Sequence, residues 1–275
     1  MLKIDAHHHI WDYDPVQHAW IDDSMAVIQR SFTPADMEPL LQEAGIDGTV
    51  LVQVNQNLRE NMVFTAAAEA NPFIKGVVGW VDLLAADLED QLDELRDLSK
   101  LKGFRHIAQA EPADYLSRSE VIRGIRQLGR YGFTYDILIK PHQMEAAVEL
   151  VKTCPAQPFV LDHIAKPYIK AGEIDAWRRD MYKLGAMDNC YCKISGIITE
   201  ADWHSWTAEQ IRPYLDVALE AFGSRRLMFG SDWPVCLVAG SYRQVVNLAA
   251  DYVQNLSVQE QQDFWGGNAI RFYGL

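Results

Sequence analysis

Residues 5–12 read DAHHHIWD, three consecutive histidines framed by the apolar residues Leu2, Ile4, Ile10 and Trp11. That frame predicts a strand over residues 2–10, in which successive side chains point to opposite faces. His7 and His9 then share a face, Asp5 lies on that same face, and His8 turns away as a structural residue. Two imidazoles on one strand face can reach a single small target, either a metal ion or a substrate oxygen. The chemistry expected is that of a spaced pair, with partners supplied by the rest of the chain. Candidates stand at the ends of other apolar runs: Gln53 and Asn55, Trp80 and Asp82, Arg105 and His106, Tyr135, Asp136 and Lys140. Further along come Asp162, His163 and Lys166, Lys193 and Ser195, then Ser231, Asp232 and Trp233. Polar side chains are costly inside a buried strand, so their recurrence at run ends points to one shared mouth. His18, His142 and His204 have no such placement and are read as structural.

The elements that must carry these residues are eight strand-like runs, at 2–10, 48–56, 75–83, 102–109, 134–140, 158–164, 190–197 and 227–233. Helical patterns fill the intervals. The first has Thr33 as N-cap, Pro34 at the first helical position and Gly45 just past the end. Eight strands, each followed by a helix, over 275 residues predict an α/β fold, a (β/α)8 TIM barrel, as one domain spanning 1–275. An open doubly wound sheet would carry a glycine-rich phosphate loop after the first strand, and HHHIWDYDP is nothing like one. In a barrel the reactive side chains gather at the C-terminal strand ends, which is where the candidates fall.

A formal net charge of −13 argues against nucleic acid or an anionic membrane as partner. Hydrophobic residues make up 49% of the chain, enough for a large core, and no run is long and apolar enough to suggest a signal peptide or a membrane span. Cys154, Cys190, Cys192 and Cys236 form no paired C-x-x-C motif and read as buried thiols. The expectation is a cytoplasmic protein acting on a small molecule, compatible with a homo-oligomer.

The motifs DAHHHIWD, GFRH, LDHIAKP, KISG, FGSDWPV and NAIRFYGL, in that order along nearly the whole chain, resemble the sugar-acid lactonase branch of the amidohydrolase superfamily. That branch includes L-fuconolactonase, L-rhamnonolactonase and pyrone dicarboxylate lactonase. The resemblance implies that His7 and His9 are the strand-one pair, His163 the strand-six histidine and Asp232 the strand-eight aspartate. The superfamily's two-metal pattern is not matched: strand four ends in Arg105 and His106 rather than a bridging lysine, and TYDILIKP has no histidine. What remains is at most a single zinc on His7, His9 and Asp232, with no cofactor required.

The function this implies is the opening of a sugar-acid (aldono) lactone to the free acid. Asp232 activates water, with burial beside Trp233 expected to raise its pKa, while His7, His9 and His163 polarise the carbonyl. Arg105, His106 and Lys193 would hold polar groups of the substrate, and Gln53, Asn55, Trp80, Tyr135 and Trp233 would bind hydroxyls or pack on the ring. Two alternatives use the same residues: a zinc-dependent decarboxylase or amide hydrolase, and a non-catalytic barrel that binds sugar acids.

Overall fold

The structure is a computed structural model that describes residues 2–275. Eight parallel strands form one sheet in sequence order. They are β1 (Ile4–His8), β2 (Gly48–Val52), β3 (Ile74–Gly79), β4 (Leu101–His106), β5 (Thr134–Ile137), β6 (Phe159–Leu161), β7 (Cys190–Ile194) and β8 (Leu227–Phe229). The seam between β8 and β1 is joined just beyond the strand ends. The His9 N–H donates to the Trp233 carbonyl at 2.7 Å, and the Asp232 N–H donates to the His7 carbonyl at 2.8 Å. The expected barrel is what forms.

Helices lie between the strands: α1 (Pro34–Ala44), α2 (Leu58–Ala70), α3 (Leu88–Leu95), α4 (Ser119–Arg130), α5 (Met144–Thr153), α6 (Asp175–Gly185), α7 (Ala208–Phe222) and α8 (Tyr242–Val253). The first helix starts and stops on its sequence signals. Pro34 opens it, Thr33 and Asp36 form a capping box, and Gly45 closes it at φ 65°. After α8 come α9 (Val258–Gln262) and α10 (Asn268–Tyr273), joined by a π-turn over 263–267. None of the helices among the described residues is long and apolar enough to cross a membrane. The four cysteines are buried free thiols.

Strand alternation divides the apolar residues into two layers. Ile4, Ala6, Val50, Val52, Val78, Val160 and Met228 fill the barrel interior, and Phe272 and Tyr273 of α10 pack beneath them. The larger core, including Leu51, Val77, Phe104 and Phe159, lies between strands and helices. The apolar filling occupies only the lower barrel. Above it the inward positions are polar, which is what makes room for a site.

One expectation about β1 fails. Strict alternation put Asp5 on the face of His7 and His9, but β1 gains a residue against β2: Asp5 pairs with Thr49 and His8 with Leu51. An extra residue in one strand is a bulge, and it reverses the parity on either side. Ile4 and Ala6 therefore face inward, and beyond the bulge His7 and His9 do so too. Asp5 points outward, accepting from the N–H of Ser231 at 2.8 Å and of His7 at 3.2 Å. Burial pushes its carboxyl up to about 6. Asp5 pins the bulge rather than serving the mouth. His8 faces outward as expected, donating from Nδ1 to the Val50 carbonyl at 3.1 Å.

Candidate active site

The spaced pair meets its partners at the mouth. His7 Nε2 and His9 Nε2 are 3.2 Å apart. Asp232 Oδ1 lies 3.3 Å from His9 Nε2, 3.7 Å from His7 Nε2 and 4.0 Å from His163 Nε2. The state of His9 follows from its other nitrogen: Nδ1 is 2.8 Å from the Val52 carbonyl, which can only accept, so Nδ1 carries the proton. In neutral His9 the Nε2 lone pair therefore faces the Asp232 carboxylate and the ring of His7. Acceptors converging this closely call for a cation between them, either a proton or a metal ion. Two ligands of a tetrahedral zinc with bonds of about 2.0–2.1 Å stand roughly 3.3 Å apart, so the spacing fits a single ion held by His7, His9 and Asp232. A second cluster, His7, Asp162 and His163, has similar spacing. There Asp162 is already bound by two cations, which leaves it a poorer ligand.

Beneath the mouth lies a charged layer. Arg105 donates all five of its N–H groups within the protein: from Nε and Nη2 to Gln53 Oε1, from Nη2 to the Gln53 carbonyl, and from Nη1 to Asp162 Oδ2 and His7 Nε2. Lys193 Nζ lies 2.6 Å from Asp136 Oδ2, 3.0 Å from Asp162 Oδ1 and 3.2 Å from His7 Nδ1. Asp136 also accepts from the Tyr273 hydroxyl at 2.8 Å, so α10 reaches through the floor of the barrel into this layer.

These contacts set the protonation states. Burial would raise Asp162, but Lys193, His7 and Arg105 outweigh it and hold the carboxyl well below its usual range. Burial pushes Asp136 up to about 6 against the pull of Lys193. Burial lowers His7 well below its usual value, lowers His163 to about 4, and keeps both neutral. Asp232 behaves contrary to expectation. Burial does act to raise it, but His163, His9 and His7 prevail and hold it well below the ordinary carboxylate range. It is an ionised carboxylate at neutral pH.

Two backbone features aim these groups. His163, Ile164, Ala165 and Lys166 take four successive positive φ angles of 54°, 46°, 60° and 49°, and Asp232 takes 58°. The left-handed region costs non-glycine residues roughly 1–2 kcal/mol each, so this geometry persists only because the surroundings enforce it. β6 is accordingly shorter than the run 158–164, and β8 shorter than 227–233. The chain leaves the sheet early to turn His163 and Asp232 into the mouth. Gly196, at φ 59°, explains the glycine of KISG: a Cβ there would sit 2.7 Å from His163 Nδ1 and 3.1 Å from Asp232 Oδ2. Ser195 Oγ holds His163 Nδ1 at 2.8 Å.

Above the cluster opens a cavity of about 490 Å³, to which His9, Arg105, His163 and Asp232 all contribute. His7, Gln53 and Lys193 are fully buried just below it. Five expected residues lie elsewhere. Tyr135 is buried against Phe159 in the outer layer. Trp80 donates to His106 at 3.3 Å, and His106 stacks on Tyr115 and pairs with Glu111, away from the cavity. Trp233 is buried against Phe32 at the seam. Asn55 is tied to Glu60, whose carboxylate also accepts from the Val54 N–H. The cavity walls are instead Trp11, Trp20, Trp203, Gln109, Lys166 and Glu200. Lys166 was a candidate from its strand end. The others sit in loops after β1, β4 and β7, where periodicity carries no signal, although loops beyond C-terminal strand ends are where a barrel gathers such residues.

The Amidohydrolase family model matches residues 4–275. L-Fucono-1,5-lactonase of Burkholderia multivorans is 35% identical over 286 aligned positions, covering 100% of this chain and 96% of its own. A crystal structure of a B. multivorans amidohydrolase with bound zinc superposes with a TM-score of 0.95 at 36% identity, covering 100% of both chains. A probable 2-pyrone-4,6-dicarboxylic acid hydrolase of Acinetobacter baumannii, 18% identical with a TM-score of 0.80 over 100% of both chains, shares the fold.

Proposed function

Because the chain belongs to the amidohydrolase family across residues 4–275, we propose that it hydrolyses a small sugar-acid lactone to the open-chain acid. The observation that carries this reading is the convergence of one ionised carboxylate, Asp232, with His7, His9 and His163 beneath a cavity of sugar size. Full-length likeness to an L-fucono-1,5-lactonase supports it.

Asp232 accepts a proton from water as the water oxygen attacks the lactone carbonyl carbon. His163 is the donor for the oxygen that becomes negative. In the tautomer that does this, Ser195 donates to Nδ1 and Nε2 carries the proton, on a ring that lines the cavity. Arg105 acts through its fixed positive charge, since its N–H groups are engaged by Gln53, Asp162 and His7. Collapse of the tetrahedral intermediate breaks the ring C–O bond, and the leaving oxygen takes the proton from Asp232. The low pKa of Asp232 favours this second transfer, because a weak base gives its proton up readily. Zinc held by His7, His9 and Asp232 would add Lewis-acid polarisation of the carbonyl. An ester is reactive enough that preorganised donors, each worth roughly 2.7–4 kcal/mol, can do this without an ion, and we propose that none is required.

The test is a panel of aldonolactones followed by proton release, before and after chelation with residual metal quantified. Turnover of at least one lactone, retained after chelation, is expected. Proton release no faster than in buffer, for every lactone tried, would overturn the proposed activity. Loss on chelation with recovery on adding zinc would overturn only its metal independence.

A further inference from the structure

We propose that Glu200 cancels the charge of Lys166 so that the cavity takes up an uncharged lactone and lets go of its anionic product. The proposal rests on the lactonase reading and concerns a consequence of that chemistry. Opening a lactone adds the water oxygen to the carbonyl carbon, leaves one hydrogen on the new hydroxyl and releases the other as a proton. A neutral substrate becomes a carboxylate in the same cavity. Any free cation on the wall would hold the product more tightly than the substrate.

The wall has two cations, Arg105 and Lys166. Arg105 offers none of its N–H groups to a ligand, and its charge is matched by Asp162 at 3.1 Å. Lys166 closes the left-handed turn that begins at His163, and its Nζ lies 3.6 Å from Glu200 Oε1. Glu200 ends a short turn after β7, so the pair bridges two separate loops at the rim. The two side chains are 20% and 22% exposed, enough shelter for the attraction to survive screening by salt. Burial raises the Glu200 carboxyl while Lys166 lowers it and Asp232 raises it further, and Glu200 and Asp232 line the same cavity. With the layer below included, three cations, Arg105, Lys166 and Lys193, thus face four carboxylates, Asp136, Asp162, Glu200 and Asp232. Neither cation of the cavity wall presents an unmatched charge to a carboxylate ligand. Neutral hydroxyls are still served by Gln109 and by the Lys166–Glu200 pair itself.

Glu200→Gln keeps the shape and removes the charge, leaving the Lys166 ammonium to face the cavity alone. A new charge-assisted contact is worth about 1.5–3 kcal/mol, so the variant should bind an aldonate roughly tenfold to a hundredfold more tightly than the wild type. Calorimetric titration with L-fuconate measures this directly and needs no turnover, so it reads the anion preference even if no lactone is hydrolysed. With a lactone that is turned over, product inhibition by the matching aldonate should strengthen by the same factor. The double variant Glu200→Gln/Lys166→Gln should return to the weak binding of the wild type. Lys166→Gln alone should bind the aldonate more weakly still, and serves if the Glu200 variant does not fold. Equal binding of L-fuconate by wild type and Glu200→Gln would overturn the proposal, as would a gain that persists in the double variant or Lys166→Gln binding as well as wild type.

Discussion

Asp232 can take a proton from water only as a carboxylate, and three imidazoles keep it one. Asp232→Asn preserves the hydrogen-bonding shape and removes the acceptor of that proton. We expect kcat to fall about 10²–10⁴-fold with a folded protein, measured on whichever aldonolactone the wild type turns over best. A variant with near-normal kcat would remove Asp232 from its assigned role. His7, His9, His163 and Asp232 were legible in the sequence because residue type and strand-end position are both written there. Their protonation states were not. The expected rise in the pKa of Asp232 follows from burial alone, and only the positions of three rings decide that it is overruled. Arg105 gives the same lesson in reverse. A strand-end arginine suggests a substrate clamp, yet Gln53, Asp162 and His7 occupy its whole fork.

At the scale of elements, β1 carries the most consequence per residue. Its bulge turns His7 inward and leaves His8 outward, buried and neutral against β2. Burial is the main cause that lowers His8, to about 3. Below about pH 6.5 an unfolded chain's imidazole takes up a proton that the folded one refuses. The contribution of His8 to stability is therefore fully present above pH 6.5 and is lost as pH falls toward 3. The limiting slope is about 1.4 kcal/mol per pH unit. Comparing wild type with His8→Asn by urea denaturation at pH 7 and pH 5, we expect the wild type's stability relative to the variant to drop by up to about 2 kcal/mol. A difference that is the same at both pH values would contradict this. The eight strands and the first helix were readable from periodicity and capping residues. The bulge and the left-handed turn at 163–166 were not, since neither is marked by glycine; Ile164 is even β-branched, the least expected residue at φ 46°.

For the molecule as a whole, the barrel needs both a closed seam and a filled floor. Tyr273 is the polar part of that floor, and without its hydroxyl Asp136 keeps Lys193 as its one polar side-chain partner. Tyr273→Phe should cost about 1–3 kcal/mol in equilibrium denaturation. Unchanged stability would show that Lys193 alone satisfies Asp136. The motif NAIRFYGL was visible in the sequence as part of the family resemblance, but the hydroxyl's reach across 137 residues to β5 was not, because no local pattern encodes it. The seam spans further still: Ser231 meets the His7 carbonyl across 224 residues. A ribosome adds roughly 5–20 residues each second, so the histidine pair waits on the order of ten seconds or more for its aspartate to be made. Throughout that interval the two imidazoles have Val52, Arg105, Asp162 and Lys193 to meet as each is made, but not the carboxylate proposed as the base. A polypeptide cut short just before Asp232 has all eight strands of the barrel and lacks the carboxylate proposed as its base.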